Sequence, residues 1–268
     1  MNEIKNLQDG TKEISKYLSN PVPEVSEEIL LKLTKNPRIT PIDRLNINEL
    51  LIDKEIQEEI GYTKLPSGGW LVAMVTDMPR VKGEMINWWM WWHAQESIRY
   101  QIWLPGEHVA ISTDPKDSGH FSTPFTDFSP NTQYPVEKIG RMKLKLSIRF
   151  VEPAEFGFDT NLFPANKIET IVCGHVGVFH GKLEHTEMCH VYKKHENGLK
   201  LTSRFWMGDH VHFINLKEKG LINRITGKIA RKMIFNANQA FNMAIHCNRE
   251  YHNLALILPE IFQKYRIK

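Results

Sequence analysis

His246 and Glu250, in the run AIHCNREYHN, are spaced so that both side chains could bind one metal ion. Residues four positions apart in a helix lie on the same face, one turn apart. Within two turns, that face carries mostly polar side chains: Gln239, Asn242, Met243, Arg249 and Asn253. The same spacing also occurs on the solvent-exposed faces of ordinary helices. The pair alone is therefore a candidate metal site and no more.

Three further residues could bind a metal or transfer a proton. His108 follows the run RYQIWLPGE, Glu137 stands in PVEKIG at the entrance to a predicted strand, and His190 lies in EHTEMCHVY. Imidazole titrates near neutrality, and both imidazole and carboxylate are common ligands of divalent metals. Each residue also fits an ordinary structural role, as a loop histidine, a surface charge or a core histidine.

The run NWWMWWH, residues 87–93, contains four of the seven tryptophans, and Trp103 follows closely. Large aromatic side chains usually form part of a core. The same density can line an apolar cavity for a flat ligand. The sequence leaves both interpretations open.

The elements that would position these residues follow an α+β order. Apolar runs and alternating patterns predict five strands: Trp70–Val75, Lys143–Val151, Ile168–His180, Glu184–Lys193 and Leu199–Met207. The separator Glu196-Asn197-Gly198 predicts a hairpin, because Asn-Gly supplies the positive φ angles of a type I′ turn. A long helix is predicted from Gly227 to about Leu258, ended by Pro259.

The first 61 residues differ from the rest in composition, since they are rich in Lys, Glu, Asn and Leu and nearly lack aromatics. Helices are predicted over Val25–Lys35, with Ser26 as the N-cap, and over Asn46–Ile60. We therefore predict a small helical N-terminal subdomain, residues 1–61, and a main domain, residues 62–268. A segment that simply packs on the main domain is the alternative.

Composition excludes several classes of protein. The chain has 268 residues, with 34 basic and 31 acidic side chains and a net charge of +3, too balanced to predict a nucleic-acid partner. No apolar run is long enough to span a membrane. The three scattered cysteines indicate a reducing compartment rather than disulfides or a thiolate metal site. We expect a soluble, cytoplasmic protein.

Taken in order, three segments resemble the acyl-phloroglucinol C–C hydrolases, which include diacetylphloroglucinol and phloretin hydrolases. The segments are WWMWWHAQESIRYQIWLPGEH, then VEKIG with LSIRFVEPAEFGF, and finally HCNRE. The resemblance covers roughly residues 62 to 258. It implies a helix-grip (START-like) domain, in which a curved antiparallel sheet wraps a long C-terminal helix around an apolar cavity.

The resemblance also implies a zinc ion bound by two histidines and two glutamates. At matching positions these are His108, Glu137, His246 and Glu250. Tyr100 matches a tyrosine that hydrogen-bonds the substrate, and His190 matches a histidine near the reacting group, where it would transfer a proton.

Substrate contacts are also expected from Phe205 and from the tryptophans Trp88, Trp92 and Trp103. Two positions depart from the family. Phe205 stands where the family has a second substrate-contacting tyrosine, and Ile111 and Ser112 stand where an asparagine is expected. Because lost hydrogen-bond partners change which ketone is held, both departures bear on substrate choice.

The implied reaction is zinc-dependent hydrolysis of the bond between a phloroglucinol-type ring and its acyl carbonyl carbon. The implied partner is a small acyl-phenolic molecule, and a homodimer is an option that the sequence leaves open. Two other classes of protein use similar residues. A helix-grip binding protein would hold an aromatic ligand without a metal, and a non-haem iron oxygenase would bind Fe(II) through two histidines and a carboxylate.

Overall fold

A computed structural model describes residues 13–122, 124–213 and 235–266 of the chain. Ten strands are present in these ranges: β1 (Gly61–Lys64), β2 (Trp70–Pro79), β3 (His108–Ala110), β4 (Asn131–Gln133), β5 (Val136–Ile139), β6 (Met142–Lys145), β7 (Ser147–Val151), β8 (Ile168–Val178), β9 (Leu183–His195) and β10 (Gly198–Phe213). The α-helices are α1 (Glu27–Lys35), α2 (Glu49–Ile52), α3 (Lys54–Gln57), α4 (Gly83–Trp92), α5 (Ser97–Gln101), α6 (Ser118–Ser122), α7 (Pro153–Phe156), α8 (Phe163–Asn166) and α9 (Ala237–Tyr265).

The strands form two antiparallel sheets. Seven strands form the larger sheet in the order β1-β2-β10-β9-β8-β7-β4, and the smaller sheet has the order β3-β5-β6. The long helix α9 packs against the larger sheet and helps to enclose a cavity. The predicted α+β class and helix-grip arrangement are confirmed.

Successive side chains of a strand point to opposite faces of the sheet. In the larger sheet both faces are buried. On one face, Val72, Val172 and Phe205 join the core formed with α9. On the other face, Leu71 and Trp206 pack with apolar residues of the N-terminal segment, including Leu50. Residues 39–56 of the N-terminal segment thus cover the sheet face opposite α9, whereas Ile14, Tyr17 and Leu33 join the core on the α9 side. The division of the chain at residue 61 stays a prediction.

The predicted strand Lys143–Val151 is wrong as a single element. It is broken at Leu146, whose N–H donates to the carbonyl of Pro135, so that β6 and β7 belong to different sheets. The alternation of its side chains was nevertheless informative, because Leu144, Leu146, Ile148 and Phe150 all line the same cavity.

Two predicted helices also have other boundaries in the structure. Helix α9 begins at Ala237 rather than Gly227, because Asn236 is extended and its side chain caps the helix by accepting from the N–H groups of Asn238 and Gln239; residues 227–234 lie outside the described residues. At its other end α9 continues through Pro259 to Tyr265, because the side chains of its last two turns remain buried against the core. The predicted helix Asn46–Ile60 is interrupted at Asp53, whose carboxylate accepts hydrogen bonds from the N–H groups of Glu55 and Ile56 and so caps a new helix.

Helix α1 agrees with its prediction, since the Ser26 hydroxyl caps it by accepting from the N–H of Ile29. The hairpin between β9 and β10 is confirmed, but its left-handed residue is Glu196, with φ 45°, rather than Asn197 or Gly198. Gly198 serves another purpose, because a Cβ there would lie 2.3 Å from the carbonyl oxygen of Met78 on β2.

Candidate metal centre and active-site cavity

The predicted ligands come from three elements that meet at one end of the cavity. His108 begins β3 and is paired with Glu137 on β5, while His246 and Glu250 lie one turn apart on α9. The Trp103 indole donates to the Glu250 carbonyl at 3.1 Å, and the Asn253 amide donates to the Trp103 carbonyl at 2.8 Å. These bonds fix α9 against the loop that leads into β3.

The ligand atoms lie close together. His108 Nε2 is 3.5 Å from Glu250 Oε2, and His246 Nε2 is 3.9 Å from the same oxygen. His246 Nε2 is also 3.8 Å from Glu137 Oε2. His108, His246 and Glu250 form a buried group in which one atom of each residue lies within 4.8 Å of the others. Glu137 lies beside this group and contacts it through His246.

This arrangement fits a divalent metal ion. Four ligands with bonds of about 2.1 Å in a tetrahedron stand about 3.4 Å apart, only slightly closer than the separations found here. His108 Nε2 is buried and has no hydrogen-bond partner. A buried nitrogen without a partner is costly unless something is bound to it, and a metal ion would meet that need.

The pKa shifts of these residues also favour a bound cation. Burial, reinforced by the Glu137 and Glu107 carboxylates, raises the pKa of Glu250 to about 8. Burial opposes the charged form of His246, but the Glu107 hydrogen bond and the Glu250 and Glu137 carboxylates outweigh it and raise its pKa to about 9. Burial lowers the pKa of His108 well below 6.5, so this imidazole is neutral. The site therefore attracts positive charge, and His108 offers it a neutral imidazole.

Tyr100 adjoins the candidate metal site. Its ring stacks on that of His108, with centroids 4.0 Å apart and planes 4° apart. Its hydroxyl donates to Glu137 Oε1. Burial and the Glu137 charge raise the pKa of Tyr100 well above 10, so it remains a neutral hydrogen-bond donor.

The centre opens into an apolar cavity of about 300 Å³. Tyr100, Trp103, Glu137, His246 and Glu250 line the metal end. Beyond them, the wall is mainly aliphatic, thioether and phenyl side chains: Leu144, Leu146, Ile148, Phe150, Val172, Val176, Leu183, Met188, Phe205, Met207, Phe235 and Met243. Such a mostly apolar cavity with a few converging polar groups is typical of a small-molecule site.

His190 lies on β9 in the wall of this cavity. Its Nδ1 is 2.9 Å from the Ser203 hydroxyl, and its ring contacts those of Phe205 and Tyr251, with centroids 5.4 and 4.9 Å away. Burial lowers the pKa of His190 to about 3, so the imidazole is neutral at neutral pH.

The tryptophans divide between the two roles that the sequence left open. Trp103 lines the cavity, as predicted for a substrate contact. Trp88 and Trp92 are absent from the described lining, which corrects their prediction as substrate contacts. They stack on each other at 5.0 Å and pack against Phe262 and Tyr265 of α9. Helix α4 is buried on nearly all sides, so these rings form core.

Two charged residues beside the candidate metal site were not predicted from the sequence. Glu107 Oε2 is 2.8 Å from His246 Nδ1, and its other oxygen accepts from Arg249. A signal was present, since Glu107 directly precedes His108 and Arg249 directly precedes Glu250. Nothing in the sequence alone indicated that these neighbours would contact each other.

The fold and the site together define a helix-grip protein with a buried His/Glu metal-type centre in an apolar cavity. Residues 42–263 match the family described as DAPG hydrolase PhiG domain, so this chain belongs to that family. The resemblance predicted from the sequence, and with it the hydrolase class, is confirmed.

Two curated relatives illustrate the family. The 2,4-diacetylphloroglucinol hydrolase of Pseudomonas protegens is 29% identical over 237 residues, which cover 82% of this chain and 73% of the relative. The phloretin hydrolase of Eubacterium ramulus is 29% identical over 256 residues, which cover 92% and 88%. The chain is thus equally similar to two hydrolases named for different substrates.

Two solved structures that match the chain do so at low sequence identity. Norcoclaurine synthase from Thalictrum flavum matches with 9% identity and a TM-score of 0.30, covering 74% of this chain and 95% of that one. Ara h 8.0201 matches with 10% identity and a TM-score of 0.31, covering 69% and 99%. Within the described ranges, no helix has the length and apolar character needed to cross a membrane.

Proposed function

We propose that this protein is a zinc-dependent hydrolase that cleaves the carbon–carbon bond between a phloroglucinol-type ring and its acyl group. The observation that carries the proposal is the buried His108–His246–Glu250 group at one end of an apolar cavity. Membership of a hydrolase family supports it, and so does the absence of thiolate from the ligand set, which suits a catalytic rather than a structural zinc site.

The substrate's own chemistry makes this bond breakable. A phloroglucinol ring can take its keto form, in which the acyl group becomes part of a β-diketone. Water adds to the acyl carbonyl carbon, the bond to the ring breaks, and the ring carbon receives a proton. The products are a carboxylic acid and the ring bearing hydrogen where the acyl group had been.

Zinc bound at this centre would polarise a carbonyl oxygen and lower the pKa of a water molecule towards 7. His108, His246 and Glu250 would hold it, with Glu137 as the fourth ligand. Tyr100 would orient a ring oxygen through its hydroxyl, which remains protonated. Because Tyr100 is hydrogen-bonded to Glu137, the position of the substrate ring would depend on the position of a proposed zinc ligand.

His190 would move the proton. A neutral imidazole can accept a proton at one nitrogen while donating from the other, and Ser203 lies at hydrogen-bond distance from Nδ1. Because burial lowers its pKa to about 3, His190 would hold an extra proton only briefly and would pass it on.

The far wall of the cavity favours an apolar acyl tail. Thr186 is four residues before His190 on β9, about 13 Å along a strand, and the lining continues past it to Leu183. Gln239 is eleven residues before Glu250 on α9, about 16 Å along a helix. A cavity of this length would take an aryl-alkyl tail, as in phloretin, beyond the reacting carbonyl.

The test is a mass-spectrometric screen of the zinc-loaded protein with acyl-phloroglucinols and simple β-diketones in ¹⁸O-labelled water. We expect acid and free ring in equal amounts, the label in the acid, and loss of turnover after chelation. Label arriving from ¹⁸O₂ would identify an iron oxygenase instead. Ligand binding without turnover at any metal loading would identify a binding protein.

A further inference from the structure

We propose that Glu107 is the residue that aligns the metal ligands, and that Arg249 acts by holding Glu107 in place. The inference rests on the proposed metal centre and concerns two residues that its ligand set does not include. Neither residue belongs to the described lining of the cavity. Both would therefore act through the ligands, as positioning residues.

Glu107 contacts all three elements that carry ligands. It directly precedes His108 in the chain. Its carbonyl accepts a hydrogen bond of 2.8 Å from the N–H of Lys138, the residue after Glu137. Its carboxylate reaches α9, where Oε2 lies 2.8 Å from His246 Nδ1.

The carboxylate sets which nitrogen of His246 is available. With Nδ1 engaged by Glu107, the other nitrogen, Nε2, is directed towards Glu137 and Glu250, at 3.8 and 3.9 Å. A carboxylate on the far nitrogen of a ligating histidine fixes the tautomer and the ring orientation, and its loss typically weakens metal binding by about 10- to 100-fold.

Arg249 completes the arrangement from the same helix. Its guanidinium pairs with Glu107 Oε1, leaving Oε2 for His246. Position 249 lies three residues after His246, so both side chains reach Glu107 from one side of α9. Arg249 should therefore matter only while Glu107 is present.

The chain contains a close match for a control. Glu187 also joins an arginine to a histidine, with Arg44 Nε 3.2 Å from Oε1 and His210 Nδ1 3.1 Å from Oε2. It contacts none of the four proposed ligands. Glu187→Gln thus makes the same chemical change in the same kind of network away from the metal centre.

The experiment measures zinc dissociation constants by competition with a chromophoric chelator, for the parent and for four variants of the full chain. Glu107→Gln should bind zinc about 10- to 100-fold more weakly, Arg249→Met should show a smaller loss, and Glu187→Gln should match the parent. In Glu107→Gln/Arg249→Met, the arginine change should add nothing to the loss from Glu107→Gln. Equal affinity of Glu107→Gln and the parent would overturn the inference, and so would additive losses in the double variant.

Three further outcomes are distinguishable. If Glu107→Gln does not fold, Glu107→Asp and Arg249→Met decide the question, because the inference requires both to weaken zinc while Glu187→Gln does not. If the parent binds zinc but hydrolyses no acyl-phenol, the proposed activity fails while the alignment by Glu107 stands. A parent that binds no divalent metal overturns both.

Discussion

Glu250 is a carboxylate that the protein keeps 8% exposed beside two other carboxylates. Burial beside like charges raises the pKa of Glu250 to about 8, so a bound cation is what lets it carry its negative charge at neutral pH. Removing this carboxylate should therefore cost more metal affinity than its single bond to an ion would suggest, because the charge balance of the whole centre changes.

We expect Glu250→Gln to lose most of its zinc at equimolar metal, because the amide keeps the shape but carries no charge. Metal analysis after gel filtration measures the loss. Glu184→Gln is the control, since Glu184 is 3% exposed but pairs with Arg149 at 2.9 Å. Full zinc occupancy and full activity in Glu250→Gln would show that Glu250 is not a ligand.

His190→Ala should keep its zinc and turn over about 100-fold more slowly, as expected when a proton-transfer group is lost. Steady-state kinetics and metal analysis on the same sample separate the two effects. His195→Ala, on the exposed end of the same strand, serves as the control. An unchanged kcat in His190→Ala would remove His190 from the mechanism.

Phe205 is 4% exposed and lies edge-on to His190, with ring centroids 5.4 Å apart. A phenyl ring leaves a substrate carbonyl at this point without a hydrogen bond, which disfavours the second acetyl group of diacetylphloroglucinol. Phe205→Tyr should raise kcat/KM for diacetylphloroglucinol relative to phloretin by up to about tenfold, or about 1.4 kcal/mol. Phe150→Tyr, another buried phenylalanine in the cavity wall, controls for the added hydroxyl. An unchanged ratio for Phe205→Tyr would show that no such hydrogen bond forms.

At the scale of elements, close contacts between backbones set where the strands lie. Gly174 on β8 pairs with Phe150 on one side and Met188 on the other. A Cβ at Gly174 would stand 2.6 Å from the carbonyl oxygen of Arg149. Since backbone cannot move aside as a flexible side chain can, β7 and β8 would have to separate.

Gly174→Ala should lower the free energy of unfolding by about 1–3 kcal/mol, the range for overpacking. Urea unfolding followed by tryptophan fluorescence measures it. Gly119→Ala is the contrasting variant, because Gly119 lies in α6 with open space around a new Cβ, and there alanine should be neutral or stabilising. A Gly174→Ala protein as stable as the parent would mean that the strands can separate without cost.

The elements show where local pattern suffices and where it does not. The cap of α1 and the hairpin after β9 depend on neighbouring residues, so short motifs predicted them. The continuation of α9 through Pro259 and the break at Leu146 depend on distant contacts, namely buried apolar side chains in the last two turns and the carbonyl of Pro135. No pattern within a single segment contains those contacts.

The residues of the candidate site also fall into those that the sequence predicts and those that it does not. The helical spacing of His246 and Glu250 could be recognised in the sequence, and the other two proposed ligands followed from family resemblance. The contacts of Glu107 with His246 and Arg249 could not be read, because they join residues 139 and 142 positions apart. The core role of Trp88 and Trp92 was undecided because aromatic density does not reveal which face meets a cavity.

For the whole molecule, neutral histidines that are buried or partly buried predict sensitivity to acid. Burial lowers the pKa of His93 and of His185 to about 4, against an ordinary value of 6.5. Below pH 6.5 these two histidines bind protons in the unfolded chain but not in the folded chain. Their contribution to stability is therefore complete above that pH and is lost as the pH falls towards 4. Each such group removes about 2 kcal/mol between pH 6.5 and 4.5.

We therefore expect the metal-free protein's free energy of unfolding to fall steeply over this range, and His185→Gln to flatten the fall by about 2 kcal/mol. Urea unfolding at pH 7.0, 5.5 and 4.5 measures the slope. His195→Gln, whose parent side chain is 42% exposed, should leave the slope unchanged. Parallel curves for parent and His185→Gln would mean that His185 can be protonated in the folded state.

The distribution of the proposed ligands along the chain has a consequence for biosynthesis. Two proposed ligands lie at positions 108 and 137, and the other two lie at 246 and 250, on a helix that follows all the described strands in the chain. A growing chain can hold a metal ion at the complete site only after α9 has left the ribosome and docked. Every strand that the structure describes precedes α9 in the chain, so the ion would be acquired at the complete site only once all of these strands have been synthesised.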